Sequence, residues 1–362
     1  MSATANRLPL IDALKALASQ VIVLHHFAAY GPLSLAFEDL APTLQGWLYD
    51  YGRIAVQVFL VVAGFLAARS LAPRGRAAFK EPHRIILKRY LRLVPPFAAA
   101  LALAILCSTI ARAWMDDEAI PDPATLRQYL VHIALAHGIA GTSALSAGVW
   151  YVAIDFQLFA LFTLLIWLGG RLGGKRVNAA PFLVATLAAA SLFYFNRDST
   201  WDDWGIYFFG SYALGAAALW ASDRDRSTSW LGALWAVGVF ALVVDFRLRI
   251  AVALGVALTL GIVRRVGLFH HWPEFRPVEF LGRISFSIFL IHFPVYLLVN
   301  ALFERYGDGS ASQAAFTLIA AWLTSIAAGY TFFRQVESRP ARYWPQQAAA
   351  VAAVLLGRLG FR

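Results

Sequence analysis

The sequence predicts an all-α, polytopic integral membrane protein, and three observations carry that prediction. Hydrophobic residues make up 60% of the chain and charged residues only 14%, too little polar surface to cover a soluble domain of 362 residues. Apolar runs of spanning length, about 20 residues, recur from end to end. Basic residues collect in alternate connections between those runs, as the positive-inside rule expects. One membrane domain, 1–345, is expected to hold nearly everything, followed by a short apolar and basic tail over 346–362 that lies on the membrane surface.

Apolar length and breakers place about ten transmembrane helices, near 9–29, 50–71, 92–113, 148–169, 179–195, 204–221, 229–245, 250–264, 279–302 and 314–333. The first run is interrupted by Lys15, His25 and His26 and lacks a small-residue cleavage site, so it reads as a retained helix rather than a signal peptide. The second carries IAVQVFLVVAGFL, the third begins within KRYLRLVPPF, and the fourth opens on GVWYVAIDFQLF. The fifth to eighth are plain apolar runs; the ninth contains SFSIFLIHFPV, and the tenth precedes QVESRPARYW.

Arg74, Arg76, Lys80, Arg84, Lys88 and Arg89, then Arg171, Lys175 and Arg176, then Arg224 and Arg226, then Arg264 and Arg265, and finally Arg334, Arg339 and Arg342 all fall on one side of this count. That side is expected to be the cytoplasm, with both termini inside. The opposite connections, near 30–49, 114–147, 196–203 and 303–313, are poor in basic residues and hold Asp116, Asp117, Glu118, Asp202, Asp203 and Asp308. Arg247 and Arg249 break the pattern and blur the topology around 229–264.

Several function classes drop out. The formal charge of +10 is accounted for mainly by topology, with an anion site on the same side as the other source, so no nucleic-acid partner is expected. Cys107 is the single cysteine and sits in an apolar run, which excludes a disulfide framework or thiolate metal site. His270 and His271 have no ligand-like companions, and no metal is expected. No internal repeat is visible, which disfavours transporters built from two related halves.

Ionisable groups inside membrane helices are rare, because facing lipid costs about 2.5–3.5 kcal/mol on insertion scales. At about 100° per residue, Asp12, Lys15, Ser19 and His26 lie within about 60° of one another, while Gln20 and His25 point elsewhere. This stripe reads either as a hydrogen-bonded packing seam or as a pore wall bearing a titratable group. Neutral imidazole suits proton removal from a hydroxyl; His26 shares the face of Lys15 and His25 does not, so His26 is the candidate base. Arg89 and Arg92, three residues apart on one helical face, suit phosphates or anionic lipid headgroups. Trp150 and Gln157 share a face of the fourth helix, Asp155 points roughly the other way, and His292 lies deep in an aromatic helix just before Pro294.

These clusters, in this order, resemble the acyltransferase-3 family of bacterial membrane acyltransferases over about 9–344. IDALKALASQVIVLHH is similar to its first helix, in which a basic residue precedes a histidine by eleven positions, here Lys15 and His26. IAVQVFLVVAGFL resembles its second helix, KRYLRLVPP its Arg-x-x-Arg element, GVWYVAIDFQLF its Trp to Glu-Gln segment, SFSIFLIHFPV its late histidine-proline helix, and QVESRPARYW its end. The family usually has arginine at Lys15, aspartate at Gln57, and glutamates at Asp155 and Phe156.

The resemblance implies transfer of an acyl group, commonly acetyl from acetyl-CoA, to a hydroxyl of an envelope or exported glycan at a bacterial inner membrane. The expected assignment is His26, Lys15 and Asp155 in catalysis, Arg89, Arg92 and Lys15 on the acyl-CoA donor, and Trp150, Gln157 and His292 on the substrate. Some relatives carry a fused extracytoplasmic esterase-like domain; here transfer is expected to be completed by the membrane domain itself or with a separate partner. A non-catalytic transporter or flippase for a glycan lipid, using the same stripe as a path, is the alternative, and a membrane sensor a third.

Overall fold

The computed structural model describes residues 8–172, 178–225, 227–270, 272–273, 275–308 and 310–339. The expected tail over 346–362, and Lys175, Arg176, Arg226, His271 and Arg342, lie outside the described residues. Among the described residues the chain is helical without strands.

Thirteen α-helices follow in order among them: α1 (Pro9–Ala29), α2 (Pro32–Leu40), α3 (Pro42–Tyr51), α4 (Val56–Leu71), α5 (Pro82–Arg112), α6 (Leu126–Ile133), α7 (Val149–Leu172), α8 (Ala180–Phe193), α9 (Gly205–Ala221), α10 (Ser229–Val244), α11 (Leu248–Arg265), α12 (Arg276–Tyr306) and α13 (Ala311–Phe332). Each of the ten expected segments is helical. Six stretches are long and apolar enough to cross a bilayer: Pro9–Ala29, Pro42–Leu71, Pro82–Arg112, Val149–Leu172, Arg276–Tyr306 and Ala311–Glu337. Among the described residues six helices are thus of spanning length, against the about ten crossings expected; α9 and α10 are apolar but shorter. On α13, Phe316 is 72% and Leu323 53% exposed, a face that only lipid solvates well.

Two expected connections hold helices. Within 30–49, Pro32 and Pro42 start α2 and α3, where the missing N–H of proline costs nothing. Within 114–147, Thr125 and Gln128 form a capping box that starts α6. Likewise Pro82 starts α5 ten residues before the expected position 92.

The chain divides into two compact units, the described parts of 1–18, 54–87 and 153–283, and those of 19–53, 88–152 and 284–362. In the first, α9 is the buried centre; Tyr212 is 1% exposed and Phe209 fully buried. Its backbone approaches α4 so closely that a Cβ on Gly64 would collide with the Tyr212 carbonyl, and one on Gly215 with that of Val61. Small residues permit such contacts in membrane bundles, where packing replaces the hydrophobic drive. Ser211 Oγ donates to Gln57 Oε1 at 2.7 Å across the same pair.

The exceptional arginines have a structural cause. Arg247 donates to Leu192 O and Asn196 Oδ1, both at 2.8 Å, and Arg249 to Asn196 O at 2.7 Å. They satisfy carbonyls at and just beyond the C-terminus of α8, where a cation also meets the negative end of the helix dipole. Arg247 pairs with Asp245 at 3.4 Å as well.

In the second unit, polar side chains tie helices to one another. His25 Nδ1 donates to Leu48 O (2.8 Å), Gln45 to Ala28 O (2.9 Å), and Leu33 N to Asn300 Oδ1 (2.9 Å). Tyr90 and Tyr129 link α5 and α6 through Ile133 O and Ala98 O. Ser287 donates to Glu337, joining the SFSIF and QVES segments.

Candidate active site

α1 and α12 carry a buried pair of imidazoles. His26 is 7% exposed and His292 fully buried, and His26 Nδ1 lies 2.6 Å from His292 Nε2. The partners assign the tautomers. His292 Nδ1 is 3.0 Å from the Ile288 carbonyl, which only accepts, so that nitrogen carries the proton. His292 Nε2 then offers a lone pair, and His26 Nδ1 donates to it. The lone pair of His26 Nε2 is thereby left for another proton.

The surroundings fix this orientation. Tyr30 and Phe293 meet the His26 ring edge-on, with centroids 5.5 and 6.2 Å away. Gly148, at φ +79°, lies beside it: a Cβ there would sit 3.0 Å from Phe289 Cζ and 3.7 Å from His26 Cε1. Only glycine adopts that φ without strain. A cavity of about 10 Å³ lies between Ser146, Ala147, Val149 and Phe289, room for about one water.

The remaining expected residues are distributed as follows. Trp150, on α7, packs edge-on to Tyr151 at 6.2 Å. Lys15 pairs with Asp12 at 3.2 Å, one turn away on α1. Asp155 is 5% exposed. Gln157 accepts from Gly205 N at 2.7 Å, satisfying a free N–H at the start of α9, and its own amide reaches Asp203 O at 3.4 Å. Arg89 and Arg92 sit on α5, half-buried and exposed respectively. Gln20, off the expected stripe, accepts from Trp322 Nε1 at 2.8 Å.

Sequence reasoning placed His26 and His292 separately and missed their pairing, as well as Gly148, Tyr30 and Phe293. Gly148 had a signal, since it opens the GVWY segment. The pairing had none, because the two histidines are 266 positions apart.

Chemically, the pair is a proton acceptor with a built-in orienting partner. When His26 Nε2 takes a proton, the imidazolium donates to His292 through a strengthened, charge-assisted hydrogen bond.

The acyltransferase-3 family model, described as an acyltransferase domain, matches residues 8–357. A protein of Komagataeibacter xylinus, "Putative membrane-bound transacylase BcsY", is 24% identical over 376 aligned residues, covering 97% of this chain and 90% of its own length. No solved structure matches the chain. The family match spans nearly the whole sequence, the helices are of membrane-spanning character, and the chain accordingly belongs to the acyltransferase-3 family of multi-pass membrane acyltransferases.

Proposed function

We propose that this acyltransferase moves an acyl group, acetyl in the simplest case, from acyl-CoA to a hydroxyl of an envelope or exported glycan, with His26 as general base. The observation that carries the reading is the directed ladder from Ile288 O through His292 to His26, which leaves one imidazole nitrogen with a lone pair. The acceptor hydroxyl gives its proton to His26 Nε2 as its oxygen bonds to the thioester carbonyl carbon. The tetrahedral adduct then collapses, the C–S bond breaks, and the departing thiolate takes the proton from His26 to leave as the CoA thiol. Base catalysis of this kind contributes about 10² to 10⁴ in rate. His292 is a positioning residue in this scheme, which refines its expected contact with substrate.

Arg89, Arg92 and Lys15 are proposed to bind the donor, Lys15 and Asp155 to take part in catalysis with His26, and Trp150 and Gln157 to bind the acceptor. Both termini are proposed to be cytoplasmic and the membrane a bacterial inner membrane, a reading supported by the basic residues of alternate connections. The description of the Komagataeibacter protein as a transacylase is consistent with group transfer.

The test is release of CoA from acetyl-CoA by protein in nanodiscs, with and without a crude glycan acceptor. Loss of turnover in a folded His26→Ala variant supports the base. Undiminished turnover in that variant would refute it, and absence of CoA binding under every condition would favour a flippase.

A further inference from the structure

A cavity of about 440 Å³ opens where the connection from α4 to α5 meets the end of α7. It is lined by Arg76, Lys80 and Arg171, with Phe79, Trp167 and Asn178 completing the wall. Among the described residues no carboxylate lines it, and none forms an ion pair with these three cations. Its volume falls in the range of small-molecule pockets, about 300–1,000 Å³.

The walls are held in place. Ala78 N donates to Leu71 O at 2.8 Å, Asn178 Nδ2 to Gly75 O at 2.7 Å, and Trp220 Nε1 to Ala72 O at 2.8 Å. The Arg171 guanidinium rests on the Trp167 ring, 4.5 Å from its centroid, an arrangement that restricts the side chain before any ligand arrives. Topogenesis needs positive charge in this connection. It needs neither a cavity nor an anchored loop beneath an aromatic wall.

We propose that this basic cavity binds a phosphate-bearing ligand, with Arg76, Lys80 and Arg171 as its countercharges. Two sources share that chemistry: the ribose phosphate of the acyl-CoA donor, a different phosphate from those given to Arg89 and Arg92 and one that rests on the function proposed above, and the headgroup of an anionic phospholipid, which does not. Guanidinium groups suit either through paired hydrogen bonds to phosphate oxygens.

The test compares wild type with an Arg76→Gln, Arg171→Gln variant, both screened for an unchanged melting temperature. CoA binding is titrated in phosphatidylcholine nanodiscs at two salt concentrations, and retention of phosphatidylglycerol is read by native mass spectrometry. A fall in CoA affinity of tenfold or more in the variant, with wild-type binding weakened by salt, supports the site with the nucleotide as its ligand. Unchanged CoA behaviour with loss of retained phosphatidylglycerol supports it with a lipid as its ligand. If neither changes, the site is refuted. Should the double variant fail to fold, Lys80→Gln alone is put through both measurements and decides by the same outcomes. His26→Ala is expected to keep CoA affinity while losing turnover, so failure of the cavity and failure of the base give different results.

Discussion

Two pairs of histidines are buried in the second unit, and they are built differently. His26 and His292 share a 2.6 Å hydrogen bond, and every donor in the chain points the same way. His132 and His137 instead stack in parallel, with centroids 4.2 Å apart and ring planes 2° apart. Both nitrogens of His132 are engaged, Nδ1 donating to Gln128 O and Nε2 accepting from Leu145 N. Neither nitrogen of His137, which is 3% exposed, has a hydrogen-bond partner among the described residues. Burial pushes His137 down to about 4, with the neighbouring His132 adding to the effect. Leu135, at φ +57°, turns the chain between them at a position where glycine would be less strained. Proximity of imidazoles is therefore not what makes a base. The proposed base differs in having a directed set of partners that ends in a lone pair, whereas the rings of the other pair stack in parallel.

The largest expected effect separates the pairs by activity. His26→Gln should lower CoA release by about 10² to 10⁴, whereas His137→Phe, which keeps a ring in the stack, should leave it near wild type. Equal losses in steady-state assays of folded protein would erase the distinction.

Acid should separate them next. The ordinary histidine pKa is near 6.5 and that of His137 in the fold is about 4, so between these values the unfolded chain binds more protons. Stability from this residue is full above pH 6.5 and lost as pH falls toward 4, about 3 kcal/mol in all. Thermal unfolding in detergent from pH 7.5 to 4.5 should show a steeper decline for wild type than for His137→Phe. Parallel curves would mean that the stack is not the acid-labile element.

His292 offers a finer test. Its removal deletes one buried hydrogen bond from His26, worth about 1–3 kcal/mol, and should lower kcat about 5- to 150-fold with little change in KM. A drop in kcat at unchanged KM and unchanged melting temperature marks a positioning role; a purely structural role would lower the melting temperature along with activity. Smallest of the four, Gly148→Ala should cost about 1–2 kcal/mol for an L side chain at positive φ and crowd Phe289. A crystal structure or thermal scan of that variant matching wild type would show that the backbone there is free to adjust.

Much of this was legible in the sequence, for identifiable reasons. All ten apolar segments became helices because a buried or lipid-facing backbone must satisfy its own hydrogen bonds. His26 stood out because polar atoms within such helices are costly. The short helices α2, α3 and α6 were harder to see, since their starts are marked only by Pro32, Pro42 and the Thr125–Gln128 box, local signals that apolar length ignores. Arg247 and Arg249 looked like violations of topology because the carbonyls they satisfy belong to residues about fifty positions away.

The sequence by itself determined that the protein is a helical membrane acyltransferase and that His26 and His292 are unusual, because hydropathy, charge asymmetry and motif order are properties of the linear chain. Only the tertiary structure decided that those two histidines form one proton ladder while His132 and His137 form an inert stack. Hydrogen-bond direction depends on which partner each nitrogen meets, and those partners come together only when distant helices pack.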